Sequence, residues 1–223
     1  RCGGGLAGAV FVSNMEEGAT LAAALGPELV VFDGSGAALP PIAADRTIVV
    51  VGGRQAPDLV TGYLNTYRLL LADLVVLTMA DETVDWRAVR SRVTGVVRPG
   101  TPVVAATLTP RPLEPVAGRR TAYFSTAPRS VHSRLAAQLE ERYGADVVHV
   151  SGNLADRQAL HAELATLPAD VFLVELKAAA IDVVAEAAVA AGAEVVLAAN
   201  DVVSVPGEPD LDELLFEMAK FRS

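Results

Sequence analysis

The sequence is poor in cysteine and in aromatic residues. Cys2 is the single cysteine of 223 residues, which excludes a disulfide framework and a zinc site built on cysteines. Aromatic residues make up 5% of the chain against 52% hydrophobic residues, so the core must consist of valine, leucine, isoleucine and alanine. This composition is typical of parallel sheets buried on both faces. No apolar run reaches the roughly 18 residues of a membrane span, and no signal peptide is recognised, so a cytoplasmic protein is predicted.

Positive charge is also scarce. Lysine and arginine number 18 against 27 acidic residues, giving a net charge of −9, which argues against nonspecific nucleic-acid binding. A small phosphorylated substrate remains compatible, because a few local arginines suffice to bind it. Lys177 and Lys220 are the only lysines, a bias typical of a GC-rich bacterial genome. Neither follows a glycine, so the phosphate loop Gly-x-x-x-x-Gly-Lys-Ser/Thr does not occur in these residues.

Short apolar runs alternate with helical patterns along the chain. Strands are predicted at 29–33, 47–52, 74–79, 102–107, 121–124, 146–150, 171–175 and 194–198, and helices at 13–24, 57–72, 85–94, 128–143, 156–167, 178–191 and from 210. Such alternation predicts right-handed crossover units and a parallel sheet. Gly62 is a weak point of its helix, and Gly192 is expected to end another. Three prolines within 108–118 predict a stiff linker, which divides the chain into domains 1–117 and 118–223.

Asp33 is the strongest metal candidate. It ends an apolar run, and Gly34, Ser35 and Gly36 follow at once. Such a carboxylate at the carboxyl edge of a parallel sheet is placed to hold Mg²⁺ beside a nucleotide. The glycines leave backbone N–H groups accessible to an anion. The alternative is a tight turn in which Asp33 accepts N–H bonds from the loop.

A glycine-rich segment opens the chain. The spacing Gly3-x-Gly5-x-x-Gly8 matches a dinucleotide fingerprint by letter. It lacks the preceding strand and the ribose-binding acid that this fingerprint requires. Gly3, Gly4 and Gly5 are therefore interpreted as a loop that covers an anionic substrate.

Charged residues near predicted strand ends are the catalytic candidates. Lys177 lies two residues past Glu175, where its ammonium would neutralise phosphate, although an ordinary ion pair of the two is the alternative. Asp81 and Glu82 follow another strand, where paired carboxylates suit catalysis, and the alternative is a pair of solvated helix caps.

Ser125 and Thr126 precede a predicted helix. They are candidates for binding a cofactor anion at the helix start, although capping alone also explains them. Phosphates could also be bound by Arg68, Arg111 or Arg129, and the sequence does not choose among them. The three histidines have no metal-ligand spacing.

Several stretches together resemble the cyclic 2,3-diphosphoglycerate synthetase family. They follow one another along nearly the whole chain, which makes the resemblance more specific than any single motif, and they lie at 3–9, 11–14, 34–41, 61–63, 67–68, 72–79, 111–113, 125–128 and 174–182. The stretch 33–36 is also similar to the Glu-Gly-Ala-Gly-Gly strand exit of dethiobiotin synthetases, where the carboxylate binds Mg²⁺ beside ATP.

The resemblance implies an α/β fold. Residues 1–117 would form a partial parallel-sheet domain of the P-loop, dethiobiotin-synthetase-like type, followed by a smaller Rossmann-like domain. The implied activity is an ATP- and Mg²⁺-dependent ligase that closes 2,3-diphosphoglycerate into its cyclic phosphoanhydride, with release of ADP and phosphate. Holding two repelling phosphates together requires cations and N–H donors, as the candidates above would supply.

The missing phosphate loop shapes the remaining expectations. The P-loop segment is expected upstream in the same protein as a partner of this chain, so the chain alone is expected to be nearly inactive. A homo-oligomer is a further expectation, whereas nucleic acid and membrane partners are not expected. The alternatives are a non-catalytic module that binds a nucleotide or phosphometabolite, and a relative that acts on another phosphorylated acid.

Overall fold

The computed structural model describes residues 15–34, 39, 42–81, 85–176 and 180–220. The helices and strands of these residues are α1 (Met15–Ala24), β1 (Ile48–Gly52), α2 (Pro57–Val60), α3 (Leu64–Leu71), β2 (Leu74–Thr78), α4 (Trp86–Thr94), β3 (Val103–Pro112), β4 (Arg120–Phe124), α5 (His132–Tyr143), β5 (Asp146–Ser151), α6 (Arg157–Leu164), β6 (Val171–Glu175), α7 (Ile181–Ala191), β7 (Glu194–Ser204) and α8 (Leu211–Ala219). Short 3-10 turns precede α5 and α6. The predicted alternation of strands and helices is confirmed from β1 onward.

The chain divides into two compact units. Unit 1 comprises residues 1–77, 87–104 and 207–223, and unit 2 comprises residues 78–86 and 105–206. Both units are therefore built from segments that are distant in the sequence. The predicted domain boundary between 117 and 118 does not coincide with the bounds of these compact units. It concerns domain organisation, which compactness does not test, and it stays a prediction.

Unit 1 is organised around β2, all of whose residues are buried. β1 neighbours β2 on one side, and the Val75 N–H donates to Pro102 O at 2.9 Å just before β3 on the other. Val89 and Val93 of α4 belong to the core, whereas α1 buries no residue. Val50 of β1 remains 66% exposed, so this strand has an uncovered apolar face in the described structure.

Unit 2 contains five strands in the order β3-β7-β6-β4-β5. The pairs β4–β5, β4–β6 and β6–β7 are parallel, as the sequence predicts. The pair β3–β7 is antiparallel, which corrects the prediction of a wholly parallel sheet. The carboxyl ends of β4, β5 and β6 consequently lie at one edge of this unit.

Successive residues of strands β4 and β6 point alternately to the two faces of the sheet of unit 2, and both faces are buried. Phe124 and Phe172 pack with α6 and α7 on one face, and Tyr123 and Leu173 pack with α5 on the other. Successive side chains of a strand point to opposite faces, so with helices on both sides most positions of these strands are apolar. This double burial explains the apolar, valine-rich strands and confirms the inference from composition.

The predicted linker at 108–118 is wrong for its first part, because residues 108–112 continue β3. Leu113 N–H donates to Leu197 O at 2.8 Å, and antiparallel pairing alternates, so odd-numbered residues of β3 direct their N–H toward β7. Pro110 and Pro112 fall on the intervening positions, where the N–H would point away from β7. The strand therefore accommodates both prolines without losing a bond to its partner.

The predicted strand at 29–33 is wrong. Residues 29–34 are irregular, and Leu29, Val30 and Val31 are exposed. An apolar run forms a strand only where a neighbouring strand pairs with it, and no strand of the described residues pairs with 29–33. Asp33 and Gly34 are exposed residues of this irregular segment.

The predicted weak point at Gly62 is confirmed. The helix predicted at 57–72 is broken into α2 and α3, and Tyr63 adopts a positive φ of 44° between them. A Cβ atom at Gly62 would lie 2.9 Å from the Asp58 carbonyl oxygen. Gly192 ends α7 with a φ of 69°, also as predicted.

Gly62→Ala is expected to lower the free energy of unfolding by about 1–2 kcal/mol, because the new methyl group would collide with backbone that must then shift. Gly18→Ala in α1 is the matched control. No atom lies within 4 Å of a Cβ there, so the substitution should be neutral or stabilising by up to about 1 kcal/mol. Denaturant titrations of the two variants measure both effects, and equal stabilities would contradict the steric argument.

Candidate functional site

Four polar residues meet at the carboxyl edge of unit 2, and we call them the Glu175 cluster: Ser125, Thr126, Glu175 and Asn200. Ser125 and Thr126 directly follow β4, and Glu175 is the last residue of β6. Asn200 lies in β7, two residues past Ala198, which is the register partner of Glu175. Ligands of open α/β sheets bind at this edge.

The Glu175 carboxylate is the common acceptor of this cluster. Its Oε2 accepts from the Thr126 N–H at 2.6 Å, from Thr126 Oγ1 at 2.8 Å and from Ser125 Oγ at 3.3 Å. Asn200 Nδ2 donates to Oε1. A buried or half-buried carboxylate is stabilised by such charge-assisted bonds. The loop after β4 is thereby tied to β6 and β7.

Tyr123 adjoins the cluster from inside the core. Burial of the ring raises the pKa of its phenol well above the ordinary value, whereas a hydrogen bond with Ser125 acts in the opposite direction. The phenol therefore stays protonated at neutral pH and is able to donate a hydrogen bond.

The geometry bears directly on the predicted roles of Ser125 and Thr126. Both residues do donate to an anion, as the sequence argument requires, but the anion here is the side chain of Glu175. Their binding of a cofactor stays a prediction. In the sequence Glu175 is interpreted only as an ion-pair partner of Lys177, although a carboxylate at the end of an apolar strand itself indicates a candidate site.

A second polar cluster joins β5 to α6. Glu163 accepts from Ser151 Oγ at 2.6 Å and from Asn153 Nδ2 at 3.2 Å, and it pairs with His149. Ser151 Oγ in turn accepts the Asn153 N–H at 3.1 Å. This network provides hydrogen-bond partners for polar groups of the loop at the end of β5. It also gives His149, to which the sequence assigns no role, a structural role as a partner of Glu163.

Asp81 is buried, which corrects its interpretation as a solvated helix cap. Its side chain is 4% exposed, and Oδ2 lies 3.5 Å from Arg134 Nη2. Arg134 Nη1 donates to Thr107 Oγ1 at 2.7 Å. The predicted catalytic pairing of Asp81 with Glu82 stays a prediction, because Glu82 lies outside the described residues. Arg134 was not singled out in the sequence, where nothing distinguishes it from other helical arginines.

The other predicted site residues are not brought together by the described structure. Gly3, Gly4, Gly5, Ser35, Gly36 and Lys177 lie outside the described residues. Asp33 is exposed, and no group of three or more metal-binding side chains occurs in the described part of the chain. The described residues therefore do not assemble a nucleotide and Mg²⁺ site.

Arg111 is engaged in an ion pair rather than placed in a cleft. Its Nε donates to Asp201 Oδ1 at 2.8 Å across the β3–β7 pair. The hydrogen bond to Asp201, followed by its charge, raises the pKa of Arg111 above the ordinary value.

Two surface depressions lie apart from these clusters. One, of about 380 Å³, lies in unit 1 near Asp73 and Lys220. The other, of about 420 Å³, lies in unit 2 between Leu113 and Ile181. Neither is lined by a residue that the sequence predicts to be functional, so the polar carboxyl edge remains the candidate site.

The fold and the site thus define an α/β protein whose candidate site lies at the carboxyl edge of parallel strands. Residues 1–105 match a sequence model of the P-loop domain of cyclic 2,3-diphosphoglycerate synthetase, and residues 112–201 match that of its C-terminal domain. Two consecutive parts of the chain are thus similar to domains of the cyclic 2,3-diphosphoglycerate synthetase family, in agreement with the resemblance.

Individual relatives agree with the domain matches. The cyclic 2,3-diphosphoglycerate synthetase of Rubrobacter xylanophilus is 48% identical over 227 residues, which cover 99% of this chain and 50% of that protein. Those of Thermococcus gammatolerans and Methanothermus fervidus are 39% and 35% identical, again over 99% of this chain and 50% and 49% of theirs. The chain spans about half the length of the curated relatives it matches.

The comparisons correct one expectation. The P-loop domain is represented in this chain by residues 1–105, so the prediction that the P-loop segment is absent is wrong at the level of the domain. The Gly-Lys-Ser/Thr motif itself still does not occur in the sequence. The expectation that the chain alone is inactive gains no support from these matches. Within the described ranges, no helix is long and apolar enough to cross a membrane.

Proposed function

We propose that this chain is part of an ATP-dependent ligase that closes 2,3-diphosphoglycerate into its cyclic phosphoanhydride. The observation that carries the proposal is the match of two consecutive domains to one synthetase family, with identities of 35–48% to the three relatives named above. The reaction would consume ATP, with Mg²⁺ as its counterion, and would release ADP and phosphate. Residues 1–105 would supply the nucleotide-binding part, and unit 2 would contribute to the site for the phosphorylated acid.

The carboxyl edge of unit 2 supports this proposal chemically. Closing the ring brings two phosphate groups of one molecule together, so the site must supply hydrogen-bond donors and positive charge at fixed positions. At this edge two hydroxyls, an amide side chain and a backbone N–H already hold one anionic group, the Glu175 carboxylate, so positive charge for a phosphate must come from other residues. We propose that Lys177, two residues past Glu175, adds positive charge here, and that Asp33 contributes to holding Mg²⁺.

The direct test is an assay for product. The purified chain is incubated with Mg²⁺-ATP and 2,3-diphosphoglycerate, and phosphorus NMR detects the cyclic anhydride. Because the chain spans half of its relatives, a second preparation fuses it to the part of the Rubrobacter xylanophilus relative outside the matched region. We expect product from the fusion and much less from the chain alone, since the sequence has no Gly-Lys-Ser/Thr loop to hold the transferred phosphate.

Controls separate the alternatives. 3-Phosphoglycerate in place of 2,3-diphosphoglycerate should yield no cyclic product, and the intact Rubrobacter xylanophilus protein serves as the reference. A correctly folded fusion that binds 2,3-diphosphoglycerate but makes no product would favour the binding module. Turnover with a different phosphorylated acid would favour the relative with another substrate.

A further inference from the structure

We propose that Arg134 binds a phosphoryl group of the substrate and that Asp81 and Thr107 orient its guanidinium for this role. The inference rests on the proposed function for the identity of the substrate. Arg134 lies in the first turn of α5, Asp81 follows β2, and Thr107 lies within β3. Three segments that are remote in the sequence thus converge on one guanidinium in unit 2.

The contacts of Arg134 fix its guanidinium without using all of its donors. Nη1 donates to Thr107 Oγ1 at 2.7 Å, and Nη2 lies 3.5 Å from Asp81 Oδ2. These are its polar contacts among the described residues, so the remaining N–H groups of the fork are available. The Arg134 side chain is 28% exposed, whereas that of Asp81 is 4% exposed. The carboxylate is therefore enclosed, and the arginine opens to solvent.

The geometry suits positioning better than simple stabilisation. The shorter contact of Arg134 is to a neutral hydroxyl, and the contact to Asp81 is too long for a strong hydrogen bond. A buried carboxylate costs desolvation energy, and Asp81 takes part in further interactions besides its long contact with Arg134. The arrangement keeps the Arg134 guanidinium charged and oriented, which is what binding an anionic ligand requires.

The backbone that bears Asp81 is strained. Met79, two residues earlier, has a φ of 55°, in the left-handed region that a long side chain rarely adopts. Such residues cost energy and occur where the surrounding structure holds a functional group in place. Here the strained residue lies at the exit of β2, two residues before Asp81.

Arginine is the side chain best matched to this ligand. Its planar fork binds phosphate through two parallel N–H bonds, which lysine cannot reproduce. The chain has a net charge of −9, so a diphosphorylated acid must find local positive charge. Arg134 follows the loop of Ser125 and Thr126 by a few residues, which places it in the same stretch of chain as the Glu175 cluster.

The test measures binding to the full chain. Isothermal titration with 2,3-diphosphoglycerate, and separately with inorganic pyrophosphate, is compared for the wild type, Arg134→Gln, Arg134→Lys and Asp81→Asn, with circular dichroism as the check on folding. We expect Arg134→Gln to weaken the binding of 2,3-diphosphoglycerate by about tenfold or more, and Arg134→Lys to weaken it less. Arg157→Gln, which removes an exposed partner of Asp182 in the same unit, is the control and should bind as the wild type does.

Asp81→Asn distinguishes orientation from charge. Removing a carboxylate near an anion should strengthen binding because it relieves Coulomb repulsion, whereas loss of the orienting partner should weaken it. We expect weaker binding. Stronger or unchanged binding would overturn the positioning role of Asp81, and a drop in thermal stability without a change in affinity would reduce Arg134 to a structural ion pair.

The outcomes for the wild type separate this inference from the proposed function. If the wild type and folded Arg134→Gln bind 2,3-diphosphoglycerate equally, the inference about Arg134 fails and the proposed function stands. If the wild type binds pyrophosphate through Arg134 but does not bind 2,3-diphosphoglycerate, the anion site stands and the proposed substrate is wrong. If the wild-type chain binds neither anion, the inference is overturned, and the product assay alone decides the function.

Discussion

Phe172→Ala is expected to lower the free energy of unfolding of unit 2 by about 3–5 kcal/mol. Phe172 is fully buried in the central strand β6 and packs against Phe124 of β4, with ring centroids 5.5 Å apart. Residues of the helices α6 and α7 pack in the same core cluster as this pair. The variant therefore loses the transfer free energy of the ring and also retains part of a cavity.

Denaturant titration measures this loss. Fluorescence of Trp86, the single tryptophan, and circular dichroism both follow the unfolding of the chain. Phe216→Ala is the matched control, because that side chain is 71% exposed and its loss should change stability by less than about 0.5 kcal/mol. A loss below about 1 kcal/mol for Phe172→Ala would contradict the packing described here. A double-mutant cycle with Phe124→Ala should show that the two losses are not additive.

Glu175→Gln is expected to lower the free energy of unfolding by about 2–3 kcal/mol, as typical for hydrogen bonds to a charged group. The substitution keeps the shape of the side chain but replaces one acceptor oxygen with an N–H donor. The Thr126 N–H, the Thr126 hydroxyl and Asn200 Nδ2 all donate to this carboxylate, so at least one donor would be left without an acceptor.

The control for Glu175→Gln is the same glutamate-to-glutamine replacement at an exposed position. Glu186→Gln makes the same replacement on the exposed side of α7 and should leave stability unchanged within about 0.5 kcal/mol. Amide proton NMR adds a local measurement, because the Thr126 N–H should lose the shift caused by its 2.6 Å bond to a carboxylate. Equal stabilities of the two variants would refute the cluster as described. A Glu175→Gln variant more stable than wild type would indicate that the carboxylate is retained for function at a cost.

Local patterns predicted those elements that depend on neighbours in the sequence. The strand at 171–175 has the predicted bounds, since a short apolar run of branched residues suits a strand buried on both faces. The break at Gly62 and the end of α7 at Gly192 were predicted from glycine alone, because backbone freedom is a property of the residue itself.

The elements that were missed depend on partners far along the chain. The strand predicted at 194–198 extends to 204, because β3 pairs antiparallel with its second half. The prolines of 108–112 indicated a linker by composition, and only the register shows that Pro110 and Pro112 occupy positions needing no N–H. The apolar run at 29–33 has the right residues for a strand, but no strand in the described part of the chain pairs with it.

In the candidate site, too, some residues are indicated by local patterns and others only by contacts between distant segments. Ser125 and Thr126 were found because a polar pair before a helix is a local signal. Arg134 was not, because it becomes notable only where β2, β3 and α5 bring Asp81, Thr107 and its guanidinium together. Asp81 was expected at a strand exit, but its burial could not be predicted from neighbouring residues.

The sequence by itself determined the α/β class, the apolar strands buried on both faces and the similarity to a synthetase family, because each depends on residue type and on order along the chain. Tertiary structure alone decided that β3 and β7 run antiparallel, that Glu175 collects donors from separate segments around its carboxylate, and that Arg134 is held by Asp81 and Thr107. The physical reason is that hydrogen-bond partners and burial are set by contacts between distant segments, which no local pattern contains.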